Sequence, residues 1–446
     1  MRKELLRQYI LDRQESQSRK TFFPRKLKVD LDFHRQTGKI AAILGSRRAG
    51  KSTYLLQLQR ALGLRKQQGV WIDFTEYLWQ DFRNEDWKAL WEVSLEISAS
   101  AEPVFFLDEI QQLQDFASGL RYLQNQNCLV FITGSNSSLF GKSMAESLRG
   151  KVLSYELYPL SFSEFLIFHH WEEIPPFNSR QRATLNTLLD EYLLWGGFPE
   201  VVLAREPELK HHLLQSYVDT MLLRDVVDRH EIKNIDLVER LFQKAMLSFT
   251  KTFSVHRWYN DFKSQGRRLS KDTLYDYLYY LEESLFLITI SNRANPSAAR
   301  KIYLVDNGLY QTLRNKPDKG QLWENACFLE LRRNGRNPDF WLDEKGEIDF
   351  VTETELIQVC HSLHDGNKDR ETNSLLRGIE RIPGKQPVIW TREPSGDEVP
   401  ENLITHRAGL LESVHTVKAQ RSVSRSVGGL HSSAVDQDET RARKRD

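Results

Sequence analysis

Between about Leu27 and Leu160 the chain alternates short apolar runs with longer amphipathic stretches, the rhythm of βα units wrapped around a parallel sheet. The runs KIAAIL, GVWIDF, PVFFLDE, CLVFITG and KVLSYEL are the expected strands. They do not alternate apolar with polar residues, so each is expected to be buried on both faces.

From Ser161 to about Ile290 the period changes. TLNTLLDEYLLW and IDLVERLFQKAMLSF repeat apolar residues every three or four positions and predict helices. FSVHRWYNDFKSQGRRLSKDTLYDYLYYLEESLFLITI predicts a helix, a glycine turn, a second helix capped by Ser270, and a strand. With RKIYLV as the returning strand this is a winged-helix pattern. SNRANPSAAR reads as the loop between the two strands and RNKPDKG as a linker, after which a new α/β segment starts at Leu322. From Val417 the apolar periodicity disappears into Ser, Gly and charge, the composition of a disordered tail. The expected organisation is an N-terminal helical segment (1–26), an α/β domain (27–160), a helical and winged-helix domain (161–313), a second α/β domain (321–416) and the tail (417–446).

A length of 446 residues suits several cores, and 40% hydrophobic with 28% charged residues suits a globular chain. The apolar runs fall short of the roughly 20 residues a membrane helix needs, and the N-terminus lacks the apolar centre of a signal peptide, so a cytoplasmic protein with no membrane partner is expected. Cys128, Cys327 and Cys360 are far apart and read as reduced thiols rather than disulfides or zinc ligands. The pairs His169–His170 and His211–His212 place neighbours on different helix faces and suggest no metal site. A net charge of +1 leaves nucleic-acid binding to local patches. The candidate patch is Arg257, Lys263, Arg267, Arg268 and Lys271, around the turn between the two helices.

The motif with most chemical content is GSRRAGKST, comprising Gly45, Ser46, Arg47, Arg48, Ala49, Gly50, Lys51, Ser52 and Thr53. It fits G-x-x-x-x-G-K-[ST] between a predicted strand and a predicted helix, which implies a loop of backbone N–H groups facing the phosphates of ATP. Lys51 is then expected on the β- and γ-phosphates, and the Ser52 hydroxyl on Mg2+. VFFLDE delivers Asp108 as a second metal-side group and Glu109 as the residue that polarises the attacking water. LVFITGSNSS ends in small polar residues, of which Ser135 or Asn136 is the candidate γ-phosphate sensor, with turn capping as the alternative. The absence of a guanine-recognition Asn-Lys-x-Asp sequence favours ATP over GTP.

Taken in order after the phosphate loop, LDEIQ, ITGSN, LRGK, YELYPLSFSEF and WGGFPEVV resemble the bacterial and archaeal AAA-type ATPases that carry a C-terminal nuclease-like domain of unknown function. The likeness runs from about Leu27 to Val359. It implies a P-loop NTPase fold of the AAA type, followed by the helical and winged-helix module and a degenerate restriction-endonuclease-like α/β domain. Where the family commonly has R-G-R this chain has R-G-K, so Arg149 aligns and Lys151 replaces the second arginine. The resemblance makes Arg149 the arginine-finger candidate, with action in cis, in trans from a neighbouring subunit, or no such action as the alternatives.

LWENACFLELRR followed by WLDEKGEIDFVTETELIQVC, read as a helix and a strand hairpin, resembles the restriction-endonuclease core. That resemblance implies Glu324, Asp349 and Gln358 as Mg2+ ligands and a lysine where Cys360 stands. A neutral thiol cannot supply the fixed positive charge, and Gln358 removes a negative one, so nuclease chemistry is expected to be lost. Lys368 is the nearest substitute in sequence.

Three readings follow. The first is an ATPase whose nucleotide state moves a winged-helix and inactive nuclease-like module, with DNA or a protein as partner. The second is a slowly hydrolysing regulatory or sensor module bound to a protein. The third is an ATP-driven DNA nuclease.

Overall fold

The computed structural model describes residues 2–99, 102–135, 148–173, 176–267, 269–296, 300–313, 316–344, 346–363, 365–392 and 405–407. Asn136, Arg268 and the expected tail lie outside them.

The first five expected strands form β1 (Ile40–Leu44), β2 (Gly69–Asp73), β3 (Val104–Asp108), β4 (Leu129–Gly134) and β5 (Val152–Glu156). They make one parallel sheet in the order β2-β3-β4-β1-β5. This is the P-loop NTPase arrangement of the AAA type, with the strand leading into the phosphate loop beside the centre. β1 and β3 are buried at every position because helices cover both faces. β5 departs from expectation: it is the edge strand, and Ser154 and Leu153 face outward. The helix Lys3–Arg19 belongs to this domain, sinking Leu6 and Ile10 into the same core as Ile72 and Leu90.

The next region is helical, through Phe162–Phe168, Ser179–Trp195, Pro207–Thr220, Ile235–Leu247, Val255–Ser264 and Lys271–Glu283. Asn178 and Ser270 cap their helices through side-chain oxygens, and Gly266 turns the chain at φ 77° between the last two. β7 (Leu287–Ser291) and β8 (Arg300–Leu304) pair antiparallel, and a short β6 (Thr252–Phe253) that periodicity did not reveal pairs with β8.

The C-terminal region begins with the helix Lys319–Arg333, capped by Asp318, so the end of the expected linker is already helical. The expected hairpin is three strands: β9 (Asp339–Asp343), β10 (Gly346–Val351) and β11 (Glu355–Cys360). β12 (Gln386–Thr391) and β13 (Thr405–Arg407) add parallel to β11, and the helix Asp365–Arg381 packs on the sheet. One apolar core runs from Tyr158 through Phe286 and Trp323 to Trp390 without a break. Tyr303 of β8 stacks on Phe328 with ring centroids 4.1 Å apart. Buried side chains from before and after the expected linker share this core.

Candidate functional site

β1 ends at Leu44, and the chain turns through Gly45–Gly50 into the helix Lys51–Ala61. Gly50 sits at φ 94°, a left-handed conformation that a side chain would strain. Lys51 is buried and donates to the carbonyls of Gly45 (3.0 Å) and Ser46 (3.1 Å). Its ammonium also lies 3.2 Å from Glu109 Oε1. Ser46 Oγ is buried in the loop and has no hydrogen-bond partner among the described residues.

The carboxylates come from the end of β3, two strands from β1. Asp108 is buried, and its carboxyl is pushed up by burial and by the neighbouring charge of Glu109, against the hydroxyls of Ser52 and Thr133 that bond to it. Burial also works against the Glu109 carboxylate, but Lys51, the Gln111 amide and Arg47 outweigh it and hold its pKa below the ordinary glutamate value. Glu109 has φ 51°, rare for a side chain of this size, and its N–H donates to Thr133 Oγ1 at 2.8 Å. Thr133 therefore ties the Asp108 carboxylate and the Glu109 backbone to β4, while Gln111 bridges Glu109 and Ser135, reaching the Ser135 hydroxyl at 3.0 Å. Sequence reasoning favoured Ser135 or Asn136 and passed over Thr133 and Gln111. The signal available was Thr133 at the end of a buried strand beside VFFLDE.

A second set of contacts fastens the loop to the helical region. Arg47 Nε donates to Asp225 Oδ2 at 2.7 Å, and Arg48 lies 3.2 Å from Glu200 Oε1. Asp225 sits on a π-helical turn, Met221–Asp228, that continues the helix Pro207–Thr220. Arg25, buried, donates to the Ala49 carbonyl (2.7 Å), the Tyr158 carbonyl (2.6 Å) and Glu164 (3.0 Å). Glu164 closes a capping box with Ser161. None of Arg25, Glu164, Glu200 or Asp225 stood out in the sequence, because each acts through a partner far along the chain.

Arg149 is exposed in a turn at the amino-terminal end of β5. Val152 pairs with Ile40 at the start of β1, whereas the phosphate loop leaves the other end of that strand. Five residues of strand, about 16 Å, separate the two, so Arg149 does not reach its own chain's loop. The cis reading of this residue is corrected.

In the C-terminal region Glu324, Asp349 and Gln358 do line one cavity, of about 510 Å3, together with Glu347, Glu371 and a residue that sequence order concealed, Lys301 of β8. Lys301 is buried and lies 3.1 Å from both Glu324 Oε1 and Asp349 Oδ1, and it also contacts Glu347. Cys360 is buried, its thiol pushed up to about 12 by burial with Glu371 and Asp349 adding to the effect, and it is absent from the cavity lining. Lys368 is absent from the lining too; the lysine in this cavity is Lys301 of β8, with Arg370 and Arg377 also on its wall. Of the basic patch on the preceding module, Arg267 pairs with Asp236, and Lys263 and Lys271 flank the Tyr259 ring.

The AAA domain family matches residues 37–166, and a domain of unknown function (DUF8612) matches residues 186–320. The uncharacterized protein MJ1544 of Methanocaldococcus jannaschii is 31% identical over 391 residues, covering 85% of this chain and 87% of that protein. An uncharacterized protein of Haemophilus influenzae is 28% identical over 77% of this chain and 87% of its own length. Among solved structures, Cdc6p from Pyrobaculum aerophilum aligns at 13% identity and a TM-score of 0.28, covering 70% of this chain and 97% of that one. The chain belongs to the same family as MJ1544, and its phosphate loop, Asp108 and Glu109 lie within the segment, residues 37–166, that matches the AAA domain.

Proposed function

We propose that the chain binds Mg-ATP at the loop Gly45–Thr53, hydrolyses it, and transmits the state of that site to the helical and C-terminal regions. The observation that carries this reading is the convergence of Lys51, Ser52, Asp108, Glu109 and Thr133 on the carboxyl end of one parallel sheet. Ser46 Oγ, buried without a partner among the described residues, and the head of the helix Lys51–Ala61 suit an anion. Ser52 and Asp108 are the groups to hold Mg2+, which supplies charge neutralisation at the phosphates: a buried carboxylate whose protonation is favoured gains from a cation beside it.

Lys51 has two roles in this reading. Before nucleotide arrives it neutralises Glu109, and on the arrival of phosphate its ammonium turns to the ligand and frees the carboxylate. Glu109, kept ionised, orients and accepts a proton from water. Thr133 holds the Asp108 carboxylate and the Glu109 backbone, and Arg149 is left as a finger toward a neighbouring copy. Transmission runs through Arg47–Asp225, Arg48–Glu200 and Arg25–Glu164, which join the loop that meets the phosphates to the helices beyond it. The module around β6, β7 and β8 reads as a winged helix, and the C-terminal sheet as a nuclease-like scaffold without nuclease chemistry. DNA, or a protein, is the partner moved.

A second reading, a slow regulatory ATPase, draws support from the Lys51–Glu109 pair, which occupies both the phosphate-binding and the water-activating group. Phosphate release from Mg-ATP, with and without duplex DNA and with Lys51→Ala as control, tests both. Release that depends on Lys51 and rises with DNA supports the first reading. Slow release indifferent to DNA supports the second, and release unchanged in Lys51→Ala removes both.

A further inference from the structure

The C-terminal cavity resembles a divalent-metal centre in its residue types, yet its carboxylates are arranged around something else. Glu324 Oε1 and Asp349 Oδ1 each lie 3.1 Å from the Lys301 ammonium, and Glu347 contacts it as well. These are N–H···O separations, well beyond the roughly 2.1 Å of Mg2+–oxygen contacts. As they stand, with the carboxylates of this cavity turned to the Lys301 ammonium, no group of three or more His, Cys, Asp or Glu among the described residues is placed to hold a metal ion.

The carboxylates of Glu324, Asp349 and Glu347 all meet the one Lys301 ammonium in this buried pocket, so the lysine is paired from three sides where it stands. Tyr303, two residues along the same strand, donates to Glu324 Oε1 at 2.8 Å, and Asp349 accepts from the Val359 N–H at 2.9 Å. Arg370, also on the cavity wall, is engaged by Glu371. Gln358 lines the same cavity, 7% exposed, and its Oε1 has no hydrogen-bond partner among the described residues. An acceptor left over where three carboxylates meet one ammonium marks a site with more oxygen ligands than a lysine satisfies.

We propose that Lys301 is a built-in cation standing in the place of a divalent metal, and that removing its charge turns this pocket into a divalent-cation site. The residues that the resemblance assigned to Mg2+ are then structural: they bind β8 of one module to β10 and a helix of the next. This also accounts for a cysteine where a metal nuclease carries lysine. Once the metal position holds an ammonium, no second cation is needed beside it.

The test is Mn2+ binding to the full chain without nucleotide, followed by electron paramagnetic resonance of free Mn2+. Wild type is expected to show no binding that depends on Asp349. Lys301→Met is expected to take up one further Mn2+ per chain, at least tenfold more tightly than wild type, with a melting midpoint that rises with Mn2+. Both gains should vanish in Lys301→Met with Asp349→Asn. Asp349-dependent Mn2+ binding by wild type, or a folded Lys301→Met chain that takes up none, overturns the proposal. Should Lys301→Met not fold with or without Mn2+, wild type decides. A midpoint that Mn2+ leaves unmoved, and that Asp349→Asn lowers equally with and without Mn2+, supports the internal cation. A midpoint raised by Mn2+ only when Asp349 is present overturns it.

Discussion

Arg47, in the phosphate loop, donates to Asp225 in the π-helical turn of the next module over 2.7 Å, across 178 residues of chain. The Asp225 side chain is 2% exposed and that of Arg47 20%, so the carboxylate has almost no water to fall back on. Arg47→Met should strand that charge and cost about 3 kcal/mol of stability. Adding Asp225→Leu should recover much of the loss. Denaturant melts of the two single variants and the double variant check this, and losses that add to within roughly 0.5 kcal/mol would show the pair to be uncoupled.

Glu109 is held ionised beside Lys51, as a group that accepts a proton from water must be. Glu109→Gln keeps the shape and removes the basicity. Phosphate release should fall about 100-fold or more, with ATP still bound by equilibrium dialysis. A variant that hydrolyses at the wild-type rate would show that another group activates the water.

Gly196, in the WGGFPEVV stretch, has φ 75°, and a Cβ there would lie 1.7 Å from Asp306 Oδ1. Asp306 is the knot of this turn, accepting from the Gly197 N–H at 2.7 Å and the Gly308 N–H at 2.8 Å. Gly196→Ala must therefore displace a buried carboxylate as well as strain the backbone, and should cost more than about 2 kcal/mol. A melting midpoint within a degree of wild type would contradict it.

Burial pushes the Asp306 carboxyl up to about 7, with the two amide donors and Arg333 pulling the other way. Its pKa unfolded is about 3.9, so between pH 4 and 7 the folded chain binds the extra proton. This group therefore subtracts stability as pH rises through that window. The stability of wild type relative to Asp306→Asn should fall from pH 4 to pH 7 and level off above. A difference that rises with pH would reverse the assignment.

The strands of the first sheet were legible because apolar runs buried on both faces contrast sharply with the amphipathic helices between them. The phosphate loop was legible because its chemistry is local: Gly50, Lys51 and Ser52 work through backbone geometry within a few residues of one another. β5 was misjudged as fully buried, since composition does not reveal which strand stands at an edge. Arg149 was a finger candidate through the family resemblance, and only strand register put it at the far end of the sheet.

What the sequence determined by itself is therefore the local part: helix and strand periods, caps such as Ser270, and the loop with Asp108 and Glu109. What the tertiary structure decided is the pairing of charges across long separations. Arg25 with Glu164, Arg47 with Asp225, and Lys301 with Glu324 and Asp349 are invisible to periodicity. The reason is physical: a buried charge is tolerated only beside its partner, and that partner is chosen by packing in space rather than by spacing along the chain. Cys360 stands where the resemblance expects a lysine, while the lysine that meets the carboxylates of this cavity, Lys301, comes from a strand whose sequence says only that it lies in a sheet.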